Sequence, residues 1–170
     1  MDLRTLIRDV PDFPKPGVLF KDIMPLLGNP AAFGQAVADL ANHYDPASVD
    51  VVAAAEARGF LFAAPMALAM KKPFVPLRKP GKLPGATHSF KYDLEYGSAE
   101  LHVHSDAIAP GARVLVVDDV LATGGTMAAG CKLVERAGGV VLGCAFLIEL
   151  GFLSGRAPLA GYDVFSLITY

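Results

Sequence analysis

The sequence has no long apolar run and few charged residues. Its 170 residues are 53% hydrophobic and only 19% charged, with a mean hydropathy of +0.42. No uninterrupted apolar stretch approaches the ~18 residues that a membrane-spanning helix needs, so we expect no membrane segment. The excess of apolar residues then has to be buried elsewhere, and an interface between subunits is one place for it. We therefore expect an oligomer.

A disulfide pattern, a signal-peptide pattern and a positive net charge are also missing. The two cysteines, Cys131 and Cys144, fall in segments predicted as a helix and a strand, so we expect buried, reduced thiols. The opening stretch MDLRTLIRDVPDF contains charges throughout and no apolar core, unlike a secretory signal. The net charge of -2 gives no support for binding nucleic acid. We expect a cytoplasmic protein in which local positive groups hold any anionic ligand.

Apolar strands alternate with helices along most of the chain. Strands are predicted at 49–55, 73–78, 114–118 and 140–150, and helices at about 31–44, from about 62, and at about 125–137. Asn29 and Pro30 form the predicted start of the first helix, and Pro65 is expected in the first turn of the second. This alternation predicts an α/β fold with a central parallel sheet and helices on both faces. Without a visible repeat or linker, residues 1–170 are expected to form one domain.

One segment, residues 89–104, follows a period of two instead. Its apolar residues alternate with polar ones on either side of Gly97 and Ser98: Phe90, Tyr92, Leu94, Tyr96, Leu101 and Val103. This pattern predicts an antiparallel hairpin that projects from the sheet. His102 and His104 share the other strand face, but a third ligand is not evident, so no metal site is predicted.

The segment VLVVDDVLATGGT, residues 114–126, joins a buried strand to two carboxylates and a glycine-containing turn. Ligands of a parallel sheet bind beyond the carboxyl ends of its strands, where Asp118 and Asp119 are expected. Backbone N–H groups at the start of the next helix form an anion site. The spacing matches neither the triphosphate P-loop nor the GxGxxG motif. The predicted turn consists of Ala122, Thr123, Gly124, Gly125 and Thr126.

Adjacent carboxylates repel a polyphosphate but accept hydrogen bonds from sugar hydroxyls. The segment therefore predicts a ribose 5-phosphate site, with hydroxyls on the aspartates and the phosphate in the turn. Taken piece by piece, the same residues also fit a buried strand followed by an ordinary glycine-rich turn, with the aspartates capping the next helix.

As one string, this segment resembles the phosphoribosyl-pyrophosphate (PRPP) signature of type I phosphoribosyltransferases. Other segments are similar to the adenine-specific branch of that family: PDFPKPGVLFKDI (11–23), EARGFLF (56–62), RKPGKLPG (78–85) and YDLEYGSAELHVH (92–104). The resemblance runs from Ile7 onward and implies the type I fold, with the hairpin as a lid and a short N-terminal hood over the base.

The resemblance implies a reaction in which adenine and PRPP give AMP and pyrophosphate, as in purine salvage. It also implies a homodimer and Mg2+ held mainly by PRPP or pyrophosphate, with no metal bound directly by the protein. Other purine or pyrimidine branches, those for hypoxanthine and guanine, xanthine or orotate, remain alternatives. A non-catalytic PRPP-binding regulator is an alternative of another class, and it would bind PRPP without turnover.

Roles for the remaining segments follow from the resemblance. Arg58 and Gly59 are implied in the pyrophosphate loop, and a basic cluster clamps the same group: Arg78, Lys79 and Lys82. From the sequence alone, Arg58 could equally be an exposed loop arginine, although an arginine can bind a diphosphate through two parallel contacts. For the basic cluster, a solvated loop is the simpler interpretation.

Glu95 is the residue implied in proton transfer on the base, where general acid–base catalysis contributes ~100- to 10,000-fold. The plain alternative is a surface glutamate on a hairpin. The adenine pocket is implied at Val18, Phe20 and Lys21, with the Phe20 ring stacking on the purine. The alternative is that the Phe20 side chain packs in the hydrophobic core. Ala63 stands where the family has glycine, and Lys21 where relatives often have arginine, which leaves the base selectivity open.

Overall fold

The computed structural model describes residues 1–93 and 97–170. Its strands are β1 (Arg8–Pro11), β2 (Leu19–Asp22), β3 (Val51–Ala55), β4 (Phe74–Leu77), β5 (Thr87–Asp93), β6 (Ser98–His104), β7 (Arg113–Leu121), β8 (Val140–Glu149) and β9 (Val164–Thr169). Its α-helices are α1 (Met24–Leu27), α2 (Pro30–Asn42), α3 (Gly59–Met70) and α4 (Gly125–Arg136).

A five-stranded parallel sheet in the order β4-β3-β7-β8-β9 forms the centre of the fold. Successive residues of a strand point to opposite faces, so neighbouring side chains of β8 enter different halves of the core. Leu147 packs in the half that contains Phe62 of α3, whereas Phe146 packs in the half that contains Leu133 of α4. The predicted α/β fold with helices on both faces is therefore confirmed.

The first long helix begins as its sequence predicts. Asn29 has extended backbone angles, and its Oδ1 accepts hydrogen bonds from the N–H groups of Ala31 and Ala32, both at 3.1 Å. Pro30 takes the first helical position, where its missing N–H costs no hydrogen bond. The N-cap prediction is confirmed, and α2 ends at Asn42, two residues before the predicted Tyr44.

The predicted start of the second long helix near Phe62 is wrong. α3 begins at Gly59, so Pro65 lies in the helix interior and not in its first turn. Proline removes the hydrogen bond that residue 65 would donate to the carbonyl of Leu61. The helix persists because its buried face, including Phe62 and Met66, packs on the sheet, and tertiary packing outweighs local propensity.

The strand of the carboxylate segment is longer than predicted. β7 continues past Asp118 and Asp119 to Leu121, because β8 extends far enough to pair with it at Val120↔Ile148 and Leu121↔Glu149. On the other side of β7, pairing with β3 stops at Ala54↔Val117. The two aspartates therefore lie where β7 keeps one neighbour and has lost the other.

Two antiparallel hairpins complete the fold. β5 and β6 pair from Thr87↔His104 to Asp93↔Ser98, which confirms the predicted antiparallel pairing. The prediction that the hairpin projects from the sheet is wrong for its described part, since His102 bridges to Arg78 directly after β4. Its inner face, with Leu101 and Val103, is buried on the α4 side of the sheet. Leu94 and Tyr96, which belong to the predicted alternation, lie outside the described residues. β1 and β2 form a separate two-stranded hairpin near the carboxyl edge of the sheet, and together with β9 they are elements that apolar periodicity did not predict.

Cys131 and Cys144 are both buried and free, with their Sγ atoms 3.4 Å apart between α4 and β8. This agrees with the prediction of buried thiols. None of the helices within residues 1–93 and 97–170 is long and apolar enough to cross a membrane.

Candidate active site

The order of the strands creates a crevice between β3 and β7. From β3 the chain passes through α3 to β4 on one side, and from β7 it passes through α4 to β8 on the other. Adjacent parallel strands whose connections leave in opposite directions open a gap at their carboxyl ends, where ligands of such sheets bind. Arg58 and Gly59 follow β3 at this gap, and Asp118, Asp119 and the glycine turn lie across from them.

A cavity of about 330 Å3 opens at this point. It brings together the three residues predicted to bind a base, the two aspartates and the complete turn from Ala122 to Thr126, with Arg58 on its wall. Sequence reasoning did not predict the apolar part of the wall: Leu19, Val120, Leu121, Met127, Phe146, Leu150 and Leu153. Leu150 could have been found, because it directly follows the end of β8 at the same edge of the sheet.

Asp119 is the most buried charged group in the cavity wall. The residue is 3% exposed, and the Nε atom of Arg58 lies 2.9 Å from its Oδ2. Within the described part of the chain, no N–H or O–H group points a hydrogen at this Oδ2. The contact is thus an ion pair by proximity and charge, and the oxygen keeps an unused capacity to accept hydrogen bonds from a ligand.

Asp118 lies beside Asp119, and the nearby Arg58 also favours its charged form. Its Oδ1 accepts a hydrogen bond of 2.9 Å from the backbone N–H of Asp119. The pKa of Asp118 is nevertheless raised well above its ordinary value, first because the carboxyl has lost water and second because Asp119 is negatively charged. A ligand with hydroxyl or cationic groups would relieve this unfavourable charge.

Gly59 makes room for this carboxylate. A Cβ atom at position 59 would lie 2.9 Å from Asp118 Oδ1 and 3.1 Å from the carbonyl oxygen of Val117. A side chain there would force the Asp118 carboxylate to move and would crowd the backbone of β7. The structure thus places Gly59 behind the cavity, in contact with Asp118, and not in its wall.

The glycine turn is shaped by a third glycine that sequence reasoning missed. Gly124 has a φ of +82°, and a Cβ there would lie 2.2 Å from the carbonyl oxygen of Gly155. A Cβ at Gly155 would in turn lie 2.2 Å from the carbonyl oxygen of Ala122. Only two glycines allow the turn and the segment after β8 to approach this closely. At Gly125 an added Cβ would meet no atom within 4 Å, so packing within the described residues does not require glycine there.

An ion pair between a half-exposed arginine and a buried glutamate holds the Gly155 segment in place. Arg156 donates through Nε and Nη2 to the two carboxylate oxygens of Glu149, at 2.8 and 2.7 Å. These hydrogen bonds lower the pKa of Glu149, which is buried at the end of β8. A forked arginine–carboxylate contact fixes direction as well as distance, so Gly155 is presented to the turn at a set position.

Arg58 also contacts the hood that β1 and β2 form. Its guanidinium carbon lies 5.4 Å from the ring centroid of Phe20, within the range of a cation–π contact. Phe13 packs edge-on against the same ring, with the centroids 5.1 Å apart. Phe20 is therefore half-buried and lines the cavity.

The basic cluster lies outside this cavity. Arg78 Nε donates to Glu56 Oε1 at 2.9 Å, and the backbone N–H of Lys79 donates to the same oxygen at 2.7 Å. Burial raises the pKa of Glu56, but these hydrogen bonds from Lys79 and Arg78 outweigh it and lower the pKa overall. The side chains of Lys79 and Lys82 are exposed. Glu95, predicted to act on the base, lies outside the described residues.

Known proteins share this sequence and fold over nearly the whole chain. The phosphoribosyl transferase domain family matches residues 27–166. The adenine phosphoribosyltransferase of Roseiflexus sp. (strain RS-1) is 56% identical over 99% of this chain and 98% of its own. This chain belongs to the adenine phosphoribosyltransferase family.

Solved structures of the family agree. The crystal structure of the enzyme from Thermoanaerobacter pseudethanolicus superposes with a TM-score of 0.96 at 51% identity, covering 99% of this chain and 98% of that one. The enzyme from Saccharomyces cerevisiae, solved in complex with D-2,5-dideoxy-2,5-imino-altritol 1,6-bisphosphate and adenine, gives 0.93 at 39% identity over 98% and 96% of the two chains. The type I fold implied by the sequence resemblance is therefore confirmed.

The strained charge of Asp118 leads to a prediction about stability. Asp118→Asn keeps the Oδ1 acceptor for the Asp119 N–H but removes the charge, so we expect the ligand-free variant to unfold at a higher temperature than the wild type at pH 8. A raised folded-state pKa makes the wild-type penalty complete above that pKa and absent below the unfolded value of about 3.9. The advantage of the variant should therefore shrink as the pH falls. Calorimetry at pH 8 and pH 5 measures it.

The exposed Asp106 supplies a control for this comparison. Asp106→Asn should leave the midpoint nearly unchanged at both pH values, because that carboxylate is already in water. A lower unfolding temperature for Asp118→Asn than for the wild type at both pH values would contradict the prediction. It would mean that the Asp118 carboxylate makes a favourable contact that outweighs the cost of burying its charge.

Proposed function

We propose that this chain transfers the 5-phosphoribosyl group from PRPP to adenine, giving AMP and pyrophosphate in purine salvage. The observation that supports it best is one continuous cavity with an aromatic side chain at the hood and two carboxylates and a glycine turn at the sheet edge. A planar base, a sugar diol and a phosphate need these three kinds of surface in this order. The name shared by its relatives supports the same reaction.

We propose the ribose site at Asp118 and Asp119. The buried Oδ2 of Asp119 lacks a directed donor among the described residues, and a sugar hydroxyl supplies one. The 5-phosphate then binds the turn from Ala122 to Thr126. A helix leaves its first N–H groups without intrahelical partners, and the threonine hydroxyls add donors. The open space beside Gly125 leaves room for the phosphate to approach the backbone.

The pyrophosphate site is proposed at Arg58 and Gly59, with the basic cluster as a second contributor. Arg58 stands between Asp119 and the Phe20 ring in the ligand-free protein. A diphosphate is a better partner for a guanidinium than a single carboxylate, since two forked contacts become available. The basic cluster lies on the loop after β4, outside the cavity. Its side chains would contact the diphosphate when this loop closes over the substrate.

Adenine is proposed to bind at Val18, Phe20 and Lys21. The Phe20 ring offers a stacking face, and the backbone of an extended strand offers donors and acceptors for the edge of the purine. The ammonium of Lys21 lies 2.6 Å from Asp9 Oδ1, so its charge is already paired. We therefore expect residue 21 to contribute through its backbone and its position more than through its charge.

The proposed transfer reaction breaks one bond and forms one. The bond between the anomeric carbon and the pyrophosphate oxygen breaks, and a ring nitrogen of adenine bonds to that carbon while losing its proton. We propose that the carboxylate of Glu95 takes up this proton. Preorganised charge at Arg58 and the donors of the turn stabilise the leaving group and the phosphate. A closed hairpin would exclude water that competes for the activated sugar.

The residues of the cavity wall are compatible with an Mg2+ ion that is held largely by the substrate. Carboxylate oxygens suit this ion, which usually binds one or two carboxylates together with substrate phosphates. Asp118 and Asp119 are the carboxylates at hand, and residues 1–93 and 97–170 contain no group of three or more His, Cys, Asp or Glu side chains arranged as a cage. When bound, Mg2+ would neutralise charge on the departing diphosphate.

We also propose a single cytoplasmic domain that pairs into a homodimer through α3. This helix, GFLFAAPMALAM, has no polar side chain on any face, and a helix that is apolar all round is normally buried. Its solvent side is formed by Leu61, Ala64, Pro65, Leu68 and Ala69. A second copy presents the same apolar face, as a two-fold interface requires.

Incubation with PRPP, Mg2+ and each base in turn tests the reaction. We expect AMP from adenine and much slower turnover of hypoxanthine, guanine, xanthine and orotate. Asp119→Asn should raise the KM for PRPP about tenfold or more, since a buried acceptor becomes a weaker one, with the KM for adenine changed by less than about threefold. Initial rates with each substrate varied measure this split.

Asp106→Asn is the matched control and should leave both constants unchanged. Equal changes in the two KM values for Asp119→Asn would indicate a purely structural carboxylate. Binding of PRPP without turnover of any base would favour the regulator instead.

Glu95→Gln tests the proton transfer. The amide keeps the size of the side chain but cannot take up a proton, so we expect turnover to fall about 100-fold or more with substrate binding within a few-fold. Single-turnover kinetics and equilibrium binding separate the two effects. Glu100→Gln on the same hairpin is the control and should turn over normally. Normal turnover by Glu95→Gln would leave catalysis to positioning and charge alone.

Leu68→Glu tests the dimer. Leu68 is 81% exposed in the single chain, so a glutamate there should be tolerated by the monomer and exclude a second copy. Analytical ultracentrifugation should show a dimer for the wild type and a monomer for the variant. Val140→Glu, at a site 54% exposed on β8, should remain dimeric. A wild-type monomer at micromolar concentration would contradict the proposal.

A further inference from the structure

Tyr170, directly after β9, holds the loop that follows β8. Its backbone N–H donates to the carbonyl oxygen of Glu149 at 2.9 Å, and its own carbonyl oxygen accepts from the N–H of Gly151 at 3.0 Å. These two bonds lie on either side of Leu150, which lines the cavity. The Leu150 N–H donates to the carbonyl oxygen of Leu121 at 2.9 Å, so this wall residue is fixed between β7 and Tyr170.

The ring of Tyr170 contacts the hood. The Nζ atom of Lys21 lies 3.8 Å from its ring centroid, and the guanidinium carbon of Arg4 lies 5.4 Å from it. The Lys21 side chain is only 9% exposed, so its ammonium has little water. A desolvated cation gains more from an aromatic face than an exposed one does. Asp9 and the Tyr170 ring thus together compensate a largely buried charge.

This contact matters because, among residues 1–93 and 97–170, no strand of the hood pairs with the central sheet. In that part of the chain β1 and β2 pair with each other alone, with Asp9 opposite Lys21 and Val10 opposite Phe20. The placement of β2 over the cavity therefore depends on side-chain contacts. One of these contacts joins Tyr170 to Lys21, the residue directly after Phe20.

We propose that Tyr170 is a positioning residue for the base. Through its ring it sets the hood strand that bears Phe20, and through its backbone it sets the loop that bears Leu150. Two walls of one cavity are thereby tied to a single residue that does not itself line the cavity. The inference rests on the proposed function, since it assigns the base to the space between these walls.

Two substitutions at this position separate the ring from the backbone. Tyr170→Leu keeps the backbone hydrogen bonds and much apolar volume but removes the aromatic face. We expect it to raise the KM for adenine about threefold to tenfold, the scale of one desolvated cation–π contact, with the KM for PRPP and the turnover number within twofold. Tyr170→Phe keeps the ring and should behave as the wild type.

Tyr162→Leu is the matched control. Its ring lies 5.7 Å from the Nζ atom of Lys132, and its hydroxyl donates to Glu135 Oε1 at 2.7 Å. The substitution therefore removes a cation–π contact and a hydrogen bond far from the hood, on the α4 side of the fold. We expect its KM for adenine to remain at the wild-type value. A double-mutant cycle of Tyr170→Leu with Lys21→Met should be non-additive, because both changes remove the same contact.

Several outcomes would overturn the inference: additive effects in the cycle, equal changes in both KM values, or a defect in Tyr170→Phe as large as that in Tyr170→Leu. A wild type that makes no AMP from adenine would instead contradict the proposed function. Hydrogen exchange tests the positioning role of Tyr170 independently of enzymatic activity. The amides of residues 18–22 should exchange faster in Tyr170→Leu than in Tyr170→Phe, and equal exchange would remove Tyr170 from this role.

Discussion

The arrangement of this site depends on one buried carboxylate, that of Asp119, placed where β7 has lost β3 as a neighbour. A charge that is 3% exposed needs compensation, and Arg58 supplies it from the loop after the neighbouring strand. This requirement ties the two halves of the crevice together at the point where the connections between the parallel strands reverse direction. Arg58 compensates Asp118 less completely, and the raised pKa of Asp118 expresses the cost. The charges at this edge of the sheet therefore balance only in part.

Close approach of backbone segments is the second constraint. Gly59 lets the start of α3 pass close to the carboxylate of Asp118, and Gly124 and Gly155 let the glycine turn rest on the loop after β8. The contacts at Gly124 and Gly155 are too short for any other residue. Rigid support of this kind suits catalysis, because a turn that donates hydrogen bonds is effective only if it is fixed before the substrate arrives.

The hood is supported differently from the glycine turn. The turn rests on backbone contacts and on the forked Arg156–Glu149 pair, whereas the hood rests on side chains, among them Lys21 with Asp9 and Tyr170. Side-chain contacts of this size are individually weak. The hood is therefore held less rigidly than the glycine turn.

Local pattern determined a good deal of this protein. Alternation of apolar strands and helices was sufficient for the parallel sheet, and Asn29 and Pro30 were sufficient for the start of α2, because each depends on residues close in sequence. The string around Asp118 predicts a sugar-phosphate site, and its aspartates and turn line one cavity. Tertiary structure decided the rest. β7 runs to Leu121 because β8 pairs with it, α3 includes Pro65 because the sheet holds its buried face, and Gly155 and Tyr170 act on residues far from them in the chain. Contacts between distant segments leave no periodic signal, so only the folded chain reveals them.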